Sequence, residues 1–337
     1  MPTSQTTNQR VVLAKRPAGP ATPDHFLLES EPLEELEDGE VRVAVEYLSI
    51  DAAIRTMLKG EGFHTQIGVG EIIRAGGVGR VVESASPDFA EGDAVRAQMG
   101  AQTMLTTKAR RLEKLDDSVA PLSKYLGALG GSTGVTAWIG VREVGKPQPG
   151  EIFVVSAAAG AVGSVAGQIA KIDGARVIGI AGGPEKCAHL TEVLGFDEAI
   201  DYKNENVNER LRELAPDGVN VFFDNVGGPI LDAVLDNLAM QARVVICGAI
   251  SQYDDMDNVT GPSLYLRLAE RRSRMEGFAY FHYLDRIEPA MAELAGWLED
   301  GSLVMPEHIL EGIESFPEAV YFMFQGGNIG KLMVKVS

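Results

Sequence analysis

Residues 151–163 read EIFVVSAAAGAVG, and this stretch decides the fold. Ile152 to Val155 is an apolar, largely β-branched run, the composition of a buried strand. It breaks into small residues and ends in Ala158-x-Gly160-x-x-Gly163. Ser164 to Ile172 follows, with Val165, Ile169 and Ile172 at helical spacing. Strand, glycine turn and helix in this order make a dinucleotide-binding unit, with Ala158 where the fingerprint usually carries its first glycine. The physics asks for small residues because a pyrophosphate lies against backbone N–H groups at the helix N-terminus, where the helix dipole favours an anion. A Cβ at Gly160 or Gly163 would push away the phosphates or the strand. A buried strand feeding an ordinary tight turn gives a similar string; the strand before and the helix after favour the nucleotide.

The next strand, Ala175 to Ile180, ends in Ala181-Gly182-Gly183. An NAD site places Asp or Glu near this strand end to bind the ribose 2′-hydroxyl. Here no acid precedes Glu185, and Lys186 comes directly after it. Small residues plus a cation suit a 2′-phosphate, which needs room and positive charge. The bland alternative is a solvated lysine on the following helix. Tyr202, after the short strand Glu198 to Asp201, is placed to close the same pocket with its hydroxyl. The expectation is NADPH over NADH.

Composition permits this reading and narrows the partners. The 337 residues suffice for two domains, each with its own core. Asp and Glu outnumber Lys and Arg 48 to 30, a formal net charge of −18 that repels nucleic acid and anionic membranes. An anionic cofactor then needs locally placed cations, which raises the interest of Lys186. Met1 to Gln9 is polar, unlike a signal peptide, and is the one segment expected to be disordered. No stretch is long and apolar enough to span a bilayer. The two cysteines, Cys187 and Cys247, read as reduced thiols. A cytoplasmic enzyme is expected. His25, His64, His189, His282 and His308 are scattered, and there is no Cys-x-x-Cys, so no zinc site is expected.

The pattern changes along the chain. Residues 10–120 read as short strands (Arg10–Ala14, Glu40–Ser49, Gly76–Ser84, Asp93–Gln98, Met104–Thr107) between Gly and Pro turns, an all-β, barrel-like domain. From Leu122 strands alternate with helices: after the glycine turn come Ala175–Ile180, Glu198–Asp201, Asn220–Asp224, Ala242–Ile246 and Met275–Tyr280, the pattern of a doubly wound parallel sheet. Lys331 to Val336 reads as a terminal strand returning to the first domain. The fold class is α/β, with one domain formed by residues 1–122 and 307–337 and the other by residues 123–306.

Seven motifs spread over the chain are Tyr47-Leu-Ser-Ile-Asp51 with Arg55, GSTGVTAW from Gly131 to Trp138, AAAGAVG from Ala157 to Gly163, FDNVGG from Phe223 to Gly228, CGAIS from Cys247 to Ser251, MEGF from Met275 to Phe278, and GNIGK from Gly327 to Lys331. Through them the sequence resembles the zinc-free branch of the medium-chain dehydrogenase/reductase superfamily, the alkenal/enone and prostaglandin (leukotriene B4 dehydrogenase-like) reductases. The resemblance implies a Rossmann NADP-binding domain and a GroES-like catalytic domain. It implies that Ala159, Gly160, Ala161, Val162 and Gly163 hold the pyrophosphate, and that Gly182, Lys186 and Tyr202 surround the 2′-phosphate. Asn225 and the loop Cys247, Gly248, Ala249, Ile250 and Ser251 would line the adenosine and nicotinamide path. Phe278, Ala279 and Tyr280 would run beside the nicotinamide, Ser132 and Thr136 would approach its ribose, and Asn328 would reach the cofactor from the C-terminal segment.

The implied chemistry is hydride transfer from NADPH to the β-carbon of an α,β-unsaturated ketone or aldehyde. The protein must orient the substrate, exclude water and supply a donor for the developing enolate. Tyr253 occupies the family's proposed donor position, and a phenol is neutral at pH 7 and able to donate. An ordinary loop tyrosine is the alternative, with the ribose hydroxyl or water protonating instead. Three departures bear on the substrate: Ala52-Ala53-Ile54 replaces a Pro-Tyr-Met triplet, Met99-Gly100-Ala101 stands where relatives often show Gly-Gly-Trp, and Glu270 replaces a tyrosine. A zinc-free quinone reductase and a non-catalytic NADPH-binding protein are the competing readings. A homodimer is expected, with the apolar, aromatic edge strand Met275 to Tyr280 pairing across a two-fold axis.

Overall fold

The computed structural model describes residues 6–59, 64–255 and 258–336. Of the start expected to be disordered, Met1 to Gln5 lie outside the described residues, while Thr7 to Gln9 already belong to a strand. The chain forms two compact units, one running to Leu126 and resuming at Glu307, the other spanning Gly127–Pro306.

The first unit opens with β1 (Thr7–Leu13) and β2 (Phe26–Pro32), an antiparallel ribbon from Thr7 opposite Pro32 to Leu13 opposite Phe26. Next come β3 (Glu40–Ser49), the short helix α1 (Ala53–Lys59), β4 (Gly76–Ser84), β5 (Ala94–Gln98), β6 (Met104–Lys108) and β7 (Glu113–Lys114). β3 pairs antiparallel with both β4 and β6. Its alternating Val41, Val43 and Val45 are fully buried, the inward face of a barrel-like sheet. The ladder is bulged between Val45 and Tyr47, and a Cβ at Gly79 would stand 2.1 Å from the Ala44 carbonyl oxygen. Only glycine lets the strands approach there.

The second unit begins with α2 (Thr136–Ile139), inside a helical run from Gly131 to Gly145. It continues as β8 (Ile152–Ser156), α3 (Ala161–Ile172), β9 (Arg176–Ala181), α4 (Pro184–Ala188), β10 (Glu198–Asp201), α5 (Val207–Leu214), β11 (Val219–Asp224), α6 (Gly228–Leu235), β12 (Leu238–Ile246), α7 (Leu266–Glu270), β13 (Arg274–Gly277) and α8 (Leu284–Glu299). The sheet order is β10-β9-β8-β11-β12-β13, parallel throughout. Phe153, Val154 and Val155 on β8 and Val221, Phe222 and Phe223 on β11 are fully buried, as in a sheet covered by helices on both faces. The chain winds outward in one direction from β8 and in the other from β11. Their carboxyl ends therefore flank the crevice where doubly wound sheets bind ligands.

The chain then returns to the first unit through β14 (Glu307–Glu311), α9 (Phe316–Phe324) and β15 (Lys331–Lys335), with β15 antiparallel to β3 and parallel to β14. Among the described residues no helix is long and apolar enough to cross a membrane.

Several expectations are corrected. β2 was not foreseen, because its Leu27 and Leu28 face solvent and hide the alternation. β12 starts at Leu238 rather than Ala242; Gln241 at φ 61° interrupts the apolar pattern without ending the strand. Ile172 does not join Val165 and Ile169 in the core: as the last residue of α3 it is 38% exposed. β13 stops at Gly277, and Tyr280 instead opens a 3-10 turn. The edge strand is thus Arg-Met-Glu-Gly, exposed at every position, and not an aromatic strand.

Candidate cofactor and active site

The glycine turn has the geometry its composition asks for. Ala157 sits at φ 48°, and its carbonyl oxygen would stand 2.4 Å from a Cβ on Gly163. That contact joins strand to helix and excludes any larger residue. Gly160 differs, since a Cβ there meets only the Ala157 oxygen at 3.1 Å. Ala158 and Ala159 are buried, and Ala158 N–H extends the strand by donating to the Ile180 carbonyl at 3.0 Å. Gly160 caps α3 with no side-chain hydrogen bond. The first-turn N–H groups of Ala161, Val162 and Gly163 have no intrahelical acceptor and can receive an anion.

The ends of β8 and β11 are locked together by Asn225 and by two side chains the sequence reading missed, Ser156 and Asp224. Ser156 Oγ donates to buried Asp224 Oδ1 at 2.8 Å and accepts from Asn225 N–H at 2.8 Å. Asp224 also accepts N–H groups from Val226 (3.0 Å) and Gly227 (3.1 Å). Burial pushes its carboxyl above the usual range, against the pull of these donors. Asn225 Nδ2 donates to the Ser156 carbonyl at 2.8 Å. The signal was present as a Ser and an Asp at the ends of two apolar runs, FVVS and FFD.

The loop after β12 is tied to the same point. Cys247 N–H and Gly248 N–H donate to the Asp224 carbonyl at 2.9 and 3.1 Å, Ile250 N–H to Asn225 O at 3.1 Å, and Ser251 Oγ to Val226 O at 2.6 Å. Tyr253 folds back over this loop. Its oxygen accepts the Ala249 N–H at 3.2 Å, and a Cβ on Gly248 would stand 3.1 Å from it. The phenol keeps its own proton to donate, and burial pushes its pKa above the ordinary 10. Cys247 is a free thiol that burial pushes up to about 12; free Cys187 is pushed up to about 11. Neither supplies a thiolate at neutral pH.

At the ends of β9 and β10 lies a second cluster. Gly183, at φ 101°, donates its N–H to Asp201 Oδ1 at 2.7 Å. Asp201 also accepts Lys203 N–H at 3.1 Å and Asn204 Nδ2 at 2.7 Å, and these donors hold its carboxyl below the usual range. It is the acid nearest the β9 end, yet backbone groups occupy it. The Tyr202 ring covers Gly182: a Cβ there would stand 2.8 Å from Cε1. Lys186, half-buried on α4, faces the same region. Its pKa is lowered first by burial and then by the charge of Lys203, with Glu185 acting weakly the other way.

Other expected residues have packing roles. A Cβ on Gly131 would stand 2.8 Å from the Tyr280 ring, and one on Gly140 2.6 Å from Phe278, which meets Phe223 edge-on at 6.3 Å. Thr136 Oγ1 donates to the Gly131 carbonyl at 2.7 Å, Ser132 is exposed, and Ala279 is half-buried. Asn328 belongs to the first unit, where Nδ2 donates to the Gly330 carbonyl at 2.9 Å. Of the departures from the family pattern, Ile54, Met99 and Ala101 are core residues of that unit, while Glu270 pairs with Arg267 at 2.6 Å.

Two family models match the chain: the N-terminal domain of oxidoreductase over residues 9–115 and zinc-binding dehydrogenase over residues 161–296. The NADP(+)-dependent 2-alkenal reductase of Nicotiana tabacum is 40% identical, covering 86% of this chain and 85% of that protein. The NADPH-dependent curcumin reductase of Escherichia coli is 37% identical over 98% of this chain and 97% of its own. The crystal structure of CurA from Vibrio vulnificus in complex with NADPH has a TM-score of 0.92 at 36% identity, covering 98% of this chain and 99% of that one. The chain belongs to the zinc-free medium-chain dehydrogenases/reductases. It is an oxidoreductase of the curcumin and alkenal reductase type. Among the described residues of this zinc-free reductase, no three His, Cys, Asp or Glu side chains are grouped to hold a metal ion.

Proposed function

We propose that this chain is an NADPH-dependent reductase of carbon–carbon double bonds conjugated to a carbonyl, acting on enones or enals. Tyr253 carries the reading: a half-buried, protonated hydroxyl on the loop bound to the switch-point ends of β8 and β11. The glycine turn fits the cofactor, because a Cβ at Gly160 would meet a single protein atom and the first turn of α3 has no side-chain cap. Ala159 to Gly163 would hold the pyrophosphate, and Gly182, Lys186 and Tyr202 the 2′-phosphate. Asn225, Cys247 to Ser251, Phe278 to Tyr280, Ser132, Thr136 and Asn328 would line the rest of the cofactor's course. Bound NADPH supplies a hydride, which an electron-poor β-carbon accepts.

The remaining work belongs to the protein. As charge develops on the carbonyl oxygen, the Tyr253 hydroxyl donates a hydrogen bond to it, its raised pKa keeping that proton in place at neutral pH, and a proton from water at the α-carbon completes the saturated product. The Asp224 and Ser156 hydrogen bonds hold the loop that carries Tyr253, so little reorganisation is needed when charge appears. NADPH consumption over a panel of enones, enals and quinones, with product analysis, tests the reading. Saturated ketones or aldehydes support it; turnover confined to quinones makes the enzyme a quinone reductase, and binding without turnover makes it a non-catalytic binder.

The assembly proposed is a homodimer paired through β13, the outer strand of the six-stranded sheet with one backbone edge unpaired. Light scattering at micromolar concentration gives the mass of two chains; the mass of one rejects it.

A further inference from the structure

Several lysines of this acidic chain sit against carboxylates, among them Lys114 on Asp93, Lys171 on Asp197 and Lys331 on Asp51. Lys186 and Lys203 have no ion-pair partner among the described residues. The acids around them are committed or weak. Asp201 is occupied by Gly183, Lys203 and Asn204 donors. Glu205 accepts the Asp201 N–H at 2.8 Å and pairs with Arg210 at 2.9 Å. Glu185 acts only weakly on Lys186.

The Lys203 stem does not run straight to solvent. Its Cε would stand 2.9 Å from a Cβ on Gly182, on the side that the Tyr202 ring also covers. The missing side chain of Gly182 makes room for both, and the Lys203 ammonium, one bond further on, lies by the β9 end. Burial first, and then the charge of Lys203, disfavour the Lys186 ammonium. A dianion between them removes that repulsion; a hydroxyl does not.

We propose that Lys203 is a second cation of the 2′-phosphate subsite, forming with Lys186 a clamp that sets the margin between NADPH and NADH. This rests on the NADPH reading above and adds a specificity-determining residue to it. The experiment is direct binding, without turnover, of NADPH, NADH, adenosine 2′,5′-bisphosphate and adenosine 5′-monophosphate to wild type, Lys186→Ala, Lys203→Ala and Lys203→Arg. Lys203→Ala is expected to weaken NADPH and the bisphosphate about tenfold, as for loss of one charge-assisted contact. NADH and the monophosphate keep their affinity, Lys203→Arg retains most of the discrimination, and the melting temperature of each variant is unchanged because Lys203 is exposed. If Lys186→Ala loses discrimination and Lys203→Ala does not, the clamp is overturned and the NADPH reading stands. If neither variant loses it, the 2′-phosphate is not bound here, and the clamp and the role given to Lys186 both fall while the preference for NADPH stands. Equal loss for all four ligands in Lys203→Ala also overturns the clamp.

Discussion

At the ends of β8 and β11 the polar side chains are committed to one another, whereas at the ends of β9 and β10 two ammonium groups lack ion-pair partners among the described residues. Ser156, Asp224 and Asn225 form a closed set of hydrogen bonds that ties two strands and two loops. Lys186 and Lys203 lie beside acids already occupied by backbone donors. The first region is a scaffold whose geometry precedes any ligand. The second carries charge that the proposed 2′-phosphate would neutralise. Chemistry that tolerates little displacement belongs on the former, and recognition of a charged group on the latter.

The comparison breaks most visibly at Tyr253. Tyr253→Phe should lower kcat by about 10²–10⁴-fold if this hydroxyl is the sole donor, with little change in NADPH affinity. An unchanged kcat would remove the scaffolded hydroxyl from the mechanism.

Within the glycine turn, Gly163→Val and Gly160→Ala should separate scaffold from ligand space. Gly163→Val drives a side chain into the Ala157 carbonyl and should cost about 1–3 kcal/mol or more, read as a lower melting temperature. Gly160→Ala should lower melting less than Gly163→Val, because its Cβ meets the same oxygen at 3.1 Å rather than 2.4 Å, and should weaken NADPH. Similar melting losses in both would mean that the space at Gly160 is structural.

How far the sequence disclosed these regions depends on how local each signal is. The strand, turn and helix around Gly160 were legible because an apolar run, small residues and helical spacing adjoin in the chain. Lys186 and Tyr202 were singled out through the missing acid after β9, and the Tyr202 ring does lie over Gly182. Ser156 and Asp224, 68 residues apart, become partners only when β8 and β11 pair in the sheet. Lys203 was hidden for the same reason, since its relation to Gly182 exists only once β10 lies beside β9. β13 was misread because Phe278 and Tyr280 suggested a strand, while their rings instead pack on the Gly131–Gly145 segment.

On the charged side, Lys186→Ala should weaken NADPH about ten- to a hundredfold, the worth of a charge-assisted contact of roughly 1.5–3 kcal/mol, and leave NADH nearly unchanged. Equal losses for both cofactors would mean that Lys186 supports the fold and does not read the phosphate.

The smallest effect is in the pH profile. Tyr253 acts in its protonated form, so its contribution persists below its pKa and is lost above it. With burial raising that pKa, kcat should show no loss from this group as pH rises toward 10. A falling limb well below 10 that disappears in Tyr253→Phe would contradict the burial argument.

The central claim is hydride delivery to the β-carbon of a conjugated carbonyl compound. NADPH carrying deuterium at its transferable position, turned over with an enone, tests it most directly. The account predicts a saturated ketone with deuterium on the β-carbon and the carbonyl intact. An allylic alcohol with deuterium on the former carbonyl carbon would contradict it.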